Sequence, residues 1–229
     1  MLDWVTGPTP EAVPAEFARR LRQLAASLPA PCPVALTGGG SAAIFYEALA
    51  LAGVPPSLHF YWSDERLVPP DDPDSNFRLA AVHLLRPARV PPQNLHPVPT
   101  DLAPDACAAA YAEQIRRLVP AGPAGTPRFP LIILGLGEDG HTGSLFPGRN
   151  PYQDDELLVR AVAATPDHPH PRVTFTPRLI NAAAEVWFVI TGDTKQWAVE
   201  QLAQRSADVR QVPSLVVSPE QTRITIFRA

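Results

Sequence analysis

Lysine is almost missing from this 229-residue chain: of 19 lysine and arginine side chains only Lys195 is a lysine. Cysteine is nearly as scarce. Cys32 and Cys107 lie far apart with no Cys-x-x-Cys spacing, which gives no zinc signal, argues against a disulfide-built scaffold and fits a reducing compartment. No apolar run approaches the ~18 residues of a membrane span, and the first residues lack the basic-then-apolar pattern of a secretion leader. Net positive charge is also lacking. The formal charge of −4 and the want of a basic patch argue against nucleic acid as a partner. These absences predict a cytoplasmic protein with neither a membrane nor a nucleic acid as partner.

What is present is apolar and rich in proline. An apolar fraction of 45% supports a core that needs no metal or disulfide to hold it, and the length suits one domain over residues 1–229. Helical spacing of Phe17, Leu21, Leu24 and Leu28 predicts a helix over 14–28. A strand at 33–36 then feeds Thr37-Gly38-Gly39-Gly40-Ser41 and a helix over 42–52. A second strand, 58–62, runs into the polar Ser63-Asp64-Glu65-Arg66 loop and a helix over 77–85. After a proline-rich connection, 87–104, come a helix at 106–119 and a loose loop at 121–128. Beyond a polar stretch at 150–156, strands are expected at 157–163, 172–176, 186–191, 214–217 and 223–227. Short helices are expected at 177–183 and from the turn of Lys195 to Gln204. Strand and helix alternate, so the expected class is α/β, a doubly wound, mostly parallel sheet with helices on both faces, Rossmann-like in layout.

The centre of this pattern is Leu131-Ile-Ile-Leu-Gly135-Leu-Gly-Glu-Asp139-Gly-His141-Thr-Gly-Ser-Leu-Phe-Pro-Gly148. It begins as a strand buried on both faces and ends in a glycine-rich loop with Glu138, Asp139 and His141. Such loops at the carboxyl ends of parallel strands build the active sites of open α/β sheets. Gly135-x-Gly137-x-x-Gly140 matches the dinucleotide fingerprint literally, but Glu138 and Asp139 put negative charge where a pyrophosphate would lie. The nucleotide reading is therefore rejected. His141 as a structural residue is the bland alternative; a histidine among glycines, after a strand and beside an aspartate, reads better as a site residue.

Gly38–Ser41 at the start of a helix makes an anion site from unpaired backbone N–H groups and the helix dipole. Arg172 and Lys195 add a planar fork and a point charge suited to a phosphomonoester. His168-Pro169-His170-Pro171 has two histidines but no partner ligands nearby in sequence, so no metal is expected. Asp64, Asp139 and His141 remain for proton transfer. On residues alone this is a sugar-phosphate hydrolase or isomerase without a redox cofactor.

Three motifs in this order resemble the 6-phosphogluconolactonase family: Trp62-x-Asp64-Glu65-Arg66-x-Val68-Pro69 with Ser75-Asn76, Gly135-x-Gly137-x-Asp139-Gly140-His141-Thr142-x-Ser144-Leu145-Phe146-Pro147-Gly148, and Arg172-Val173-Thr174 with Gly192 and Lys195. The resemblance implies the deaminase/lactonase type of α/β fold and hydrolysis of 6-phospho-D-glucono-1,5-lactone, the second step of the oxidative pentose phosphate pathway, with no cofactor or metal. It implies His141 as general base, with Asp64 and Asp139 as its catalytic companions and Arg66 beside the substrate. The phosphate falls to Arg172, Lys195 and the Gly39, Gly40, Ser41 turn. That turn departs from the family's usual Ser-Gly-Gly-Ser-Thr-Pro, and the C-terminus lacks a common aspartate. A small-molecule sugar-phosphate lactone is the expected partner; no oligomer is predicted. The related glucosamine-6-phosphate deaminases carry a glutamate where this chain has Phe146, which disfavours that alternative, and a non-catalytic sugar-phosphate sensor would have no use for the three acid/base residues.

Overall fold

The computed structural model describes residues 2–149 and 156–229. The polar stretch expected at 150–156 lies, save its last residue, outside the described residues. Six strands form one parallel sheet: β1 (Leu2–Val5), β2 (Cys32–Leu36), β3 (Leu58–Trp62), β5 (Leu131–Gly135), β8 (Glu185–Ile190) and β9 (Arg223–Arg228), in the order β1-β9-β8-β5-β2-β3. Every pairing among them is parallel. Chain order reverses between β2 and β5, the point at which such sheets place their ligands.

The doubly wound expectation holds because the central strands are apolar on both faces. On one face Phe17, from α1 (Ala12–Ser27), meets Phe45, from α2 (Gly40–Ala52), together with Trp187 and Phe227 of β8 and β9, at ring centroids 5.1–6.3 Å apart. On the other face Tyr61 and Phe129 meet Phe175 and Tyr111, the latter from α4 (Pro104–Leu118). Tyr61 and Trp62 are consecutive in β3, and strand alternation sends them to opposite faces. No helix among the described residues is long and apolar enough to cross a membrane.

Sequence reasoning missed a second sheet. β4 (Asp64–Arg66), β7 (Arg172–Phe175) and β6 (Val159–Val162) pair antiparallel in the order β4-β7-β6. Asp64-Glu65-Arg66 reads as part of a polar loop because all three residues are charged. They form a strand because β7 completes the ladder, with Asp64 opposite Thr174 and Arg66 opposite Arg172. β1 was also missed; its four residues are too few to show a period.

The strand expected at 214–217 is instead a single 3₁₀ turn, Pro213–Val216. Proline opens it, and its backbone groups are committed elsewhere. Ser214 N–H donates to the Gly140 carbonyl at 2.9 Å, and the Arg205 guanidinium donates to the Leu215 and Val217 carbonyls, each at 2.8 Å. The helix expected over 77–85 begins at Asn76 as α3 (Asn76–Ala80) and widens into a π turn over Ala81–Leu85. The expected helix at 177–183 is α5 (Pro177–Ala182). Lys195 ends a 3₁₀ turn and caps α6 (Gln196–Gln204) rather than lying within it.

Phe17 is fully buried and touches three aromatic rings from three elements. Phe17→Ala should cost ~3–5 kcal/mol of stability. A fall in the denaturant midpoint at constant slope checks it, and an unchanged midpoint would rule out this cluster as the anchor of that face.

Candidate active site

β2 and β5 pair over only two residues, Val34 with Leu131 and Ala35 with Ile132. Beyond them the strands part, and side chains take over from the ladder. Gly135 N–H donates to Thr37 Oγ1 at 3.1 Å, and Thr142 Oγ1 donates to the Gly135 carbonyl at 2.8 Å. Tyr46 of α2 holds the turn from behind: Thr37 N–H donates to its oxygen at 2.9 Å, and its hydroxyl donates to the Thr37 carbonyl at 2.7 Å. The gap is a cavity of about 280 Å³ lined by Gly38, Gly39 and Ser41 on one side and Gly137, Glu138 and His141 on the other. Asp64, Arg66, Asn76, Arg172 and Lys195 complete its walls.

The 137–141 loop folds back on itself, with Gly137 N–H donating to the His141 carbonyl at 2.9 Å. It carries His141 against Asp139: Nδ1 lies 2.6 Å from Asp139 Oδ1, which also accepts the His141 backbone N–H at 3.1 Å. The carboxylate engages Nδ1 and leaves Nε2 for other work. Partial burial pushes the Asp139 carboxyl up, but the hydrogen bond and charge of His141 outweigh this and hold it below its usual value. Gly137 must be glycine, since a Cβ there would lie 2.1 Å from His141 Nδ1. Behind the imidazole, Phe146 packs at a centroid distance of 5.1 Å, and the His168 ring stacks on Phe146 at 4.0 Å.

Cations line the same cavity. Lys195 Nζ donates to Ser41 Oγ at 3.0 Å, and that hydroxyl also meets Thr191 Oγ1 at 2.9 Å. Burial lowers the Lys195 pKa, against an opposing pull from Glu138. Arg172 is only 7% exposed, with its guanidinium carbon 5.3 Å from the Phe146 ring centre. Burial, then the charge of Arg66, lowers its pKa. The Nε atoms of both Arg66 and Arg172 are buried without a hydrogen-bond partner. Arg66 Nη1 donates to the Asp74 carbonyl at 2.5 Å. Desolvated cations with unfilled donors are able to receive an anion.

Of the nine residues picked out from sequence, seven line this cavity: Gly39, Ser41, Asp64, Arg66, His141, Arg172 and Lys195. Asp139 stands behind His141 instead of in the wall, and Gly40, the first residue of α2, does not line the cavity although both its neighbours do. Sequence reasoning missed the groups that hold Asp64. Ser144 Oγ donates to Asp64 Oδ2 at 2.8 Å, and Asn76 Nδ2 donates to the Asp64 carbonyl at 2.9 Å and to Oδ1 at 3.2 Å. Ser144 is in turn fixed by its N–H, which donates to Thr174 Oγ1 at 3.1 Å. Their only signal was membership of the motifs. Among the described residues no group of three or more histidine, cysteine or acidic side chains is placed to hold a metal ion.

The family described as glucosamine-6-phosphate isomerases/6-phosphogluconolactonase matches residues 8–226. The 6-phosphogluconolactonase of Nostoc sp. is 38% identical over 189 residues, 82% of this chain and 78% of that protein. Among solved structures, 6-phosphogluconolactonase from Trypanosoma brucei superposes with a TM-score of 0.85 at 27% identity, covering 100% of this chain and 96% of that one. The Thermotoga maritima 6-phosphogluconolactonase gives 0.82 at 28% identity, covering 100% and 99%.

A Cβ on Gly38 would fall 1.9 Å from Asn76 Oδ1. Because Asn76 is buried and bonded twice to Asp64, it has nowhere to retreat. Gly38→Ala should destabilise the fold by ~1–3 kcal/mol. Urea denaturation tests this, and a variant as stable as the parent would mean that the turn yields freely.

Proposed function

The chain belongs to the glucosamine-6-phosphate isomerase/6-phosphogluconolactonase family, and we propose that the cavity between β2 and β5 is where it hydrolyses 6-phospho-D-glucono-1,5-lactone to 6-phosphogluconate. The observation that carries this assignment is a shared wall: His141, Arg172 and Lys195, from three distant parts of the chain, line one cavity. A base and cations on the walls of one cavity suit a sugar lactone that also carries a phosphate.

In the proposed chemistry the Asp139 carboxylate fixes the Nδ1–H tautomer, so His141 Nε2 is the free base. Nε2 takes a proton from water as the water oxygen attacks C1 of the lactone. The carbonyl becomes an oxyanion. Its collapse breaks the bond from C1 to the ring oxygen, and that oxygen leaves with the proton from the imidazolium. The products are the open-chain acid and the regenerated base. Only water is consumed, and no cofactor or metal enters the scheme.

Lys195, Arg172 and the α2 N-terminus at Gly39, Gly40 and Ser41 are assigned to the phosphate, and Arg66 to the substrate between the two ends. Ser41 Oγ serves Lys195 and Thr191, so its part is to place the ammonium. Gly40, in place of the family's serine, leaves backbone N–H groups to do what a hydroxyl does elsewhere. Three cations against Asp64 and Glu138 leave the cavity one charge positive, a match for a phosphate that brings negative charge. Gripping the remote phosphate also orients the carbonyl, so its loss should lower kcat as well as raise KM. The unit acting is proposed to be a single domain over residues 1–229, in the cytoplasm, with this small molecule as partner in place of nucleic acid or membrane.

His141→Ala should lose ~10²–10⁴-fold in kcat/KM on freshly generated lactone. Asp139→Asn should lose at least about tenfold, since an amide no longer holds the required tautomer. If His141→Ala hydrolyses the lactone as fast as the parent, the base assignment is wrong.

A second expectation follows from Phe146, which is 7% exposed where the deaminases have an acid. Incubation with glucosamine 6-phosphate should release no ammonia above background. Steady release would overturn the lactonase reading.

A further inference from the structure

We propose that Glu65 is a positioning residue: its carboxylate, out of reach of substrate, gathers the backbone around Asn76 and so fixes the amide that holds Asp64 in the cavity. The proposal deepens the lactonase reading and, for its kinetic part, rests on it.

Glu65 is 1% exposed and does not line the cavity. Its Oε1 accepts the Arg66 N–H at 2.7 Å and the Asn76 N–H at 2.8 Å. Its Oε2 accepts the Phe77 N–H at 2.7 Å and the Ser75 hydroxyl at 3.2 Å. Four donors therefore converge on one carboxylate, and three come from consecutive residues at the start of α3. This helical segment, α3 with the π turn that continues it, is short enough to be marginal alone, and beyond the Ser75 cap its first turn has Glu65 as acceptor. Asn76 stands at the junction. Its backbone is held by Glu65, its side chain by Asp64, and its amide fills the space under Gly38. The chain from Glu65 to the cavity is thus two hydrogen bonds long.

The ionised carboxylate accepts from all four donors; a proton on Oε1 meets an N–H already in place, and one on Oε2 either meets the Phe77 N–H or requires the Ser75 hydroxyl to turn and accept it. Burial, opposed by these N–H bonds and aided by the charge of Asp64, pushes Glu65 up to about 7. The other groups facing it are Asp64 beside it in β4, Arg172 from β7, and Cys107 and Tyr111 from α4. Burial pushes the Cys107 thiol up to about 11 and holds the Tyr111 phenol well above its usual value, so both stay neutral near pH 7. The Arg172 guanidinium stays charged.

Stability and activity should then move in opposite directions. The folded-state pKa of Glu65 lies above the unfolded value of 4.5, so the folded state holds the proton more tightly. This stabilising contribution is complete below about pH 4.5 and is lost as pH rises through about 7. The organised site is gained over the same interval. A purely structural carboxylate would make activity follow stability.

Glu65→Gln, which mimics the protonated state, tests this. The parent-to-variant ratio of kcat/KM should be near one at low pH and climb to roughly 10–100-fold by pH 8.5, with a midpoint near 7. Glu65→Asp should recover part of the loss. Because Glu65 acts through Asn76, Glu65→Gln combined with Asn76→Ala should lose no more than Asn76→Ala alone. Losses that multiply, or a flat ratio accompanied only by lower stability, would overturn the proposal. Carbon-13 and nitrogen-15 NMR of the unliganded parent gives a reading free of activity. The Asn76 side-chain amide should shift with the Glu65 carboxyl midpoint, and this step should vanish in Glu65→Gln. An amide that ignores the Glu65 titration sinks the proposal even where lactone is hydrolysed. A parent that hydrolyses no lactone, yet shows the coupled shift, sinks the lactonase reading alone.

Discussion

The site exists because β2 and β5 stop pairing. Two registered residue pairs join them, after which the Gly135 N–H turns to the Thr37 hydroxyl in place of a neighbouring strand carbonyl. Strands that continued in register would bring Gly38 beside Gly135 and Gly39 beside Leu136, and close the cavity. The divergence leaves backbone donors and acceptors near the sheet's carboxyl edge that must be satisfied locally. Thr37, Thr142 and Tyr46 do that with side-chain oxygens, which need no ladder partner. Loop and turn are therefore rigid on both sides of an open space, the condition under which acid/base groups keep their geometry without ligand.

The cations in that space cost stability. Arg172 and Lys195 are desolvated, and burial drives both towards their neutral forms. A protein selected for stability alone would pair them with acids or replace them by apolar groups. Instead, Asp64 is tied to Asn76 and Ser144, and Asp139 to His141, so neither carboxylate is spent on an arginine. The one lysine of the chain is held by a hydroxyl, which orients an ammonium without neutralising it. Donors that are preorganised but unfilled are a cost to folding that a bound anion would offset, in keeping with the proposed phosphate site.

Much of this was legible in the sequence, and the exceptions have a common cause. The parallel sheet announced itself through apolar runs such as Leu131–Gly135, whose period needs no partner to be seen. His141, Arg172 and Lys195 stood out because their chemistry is unusual for glycine-rich or strand-end positions. The small antiparallel sheet stayed hidden because the pattern of Asp64-Glu65-Arg66 is that of a surface. Its three polar side chains are each answered from elsewhere: Asp64 by Ser144, Glu65 by the start of α3, Arg66 by the Asp74 carbonyl. The turn at 213–216 deceived in the opposite sense, being apolar enough for a strand while Arg205 and Gly140 occupied its backbone. Local pattern reports how a segment would behave among average neighbours. Where particular distant side chains satisfy its polar groups, the pattern has nothing to report.

The wall behind the imidazole narrows the chemistry further. Phe146 touches His141, receives the stacked His168 ring, and lies beneath the Arg172 guanidinium. An acid at this position would pair with Arg172 at close range and take that cation away from a ligand. It would also set a second carboxylate against an imidazole that already has Asp139. An apolar ring does neither: it fixes the plane of His141 by contact, and the face of its π system attracts Arg172 without neutralising it. Opening an amino sugar calls for an additional proton donor near the ring oxygen. Hydrolysing a lactone needs one base that can return the proton it took. Here one oriented imidazole is backed by an apolar ring, and no acid stands at that position.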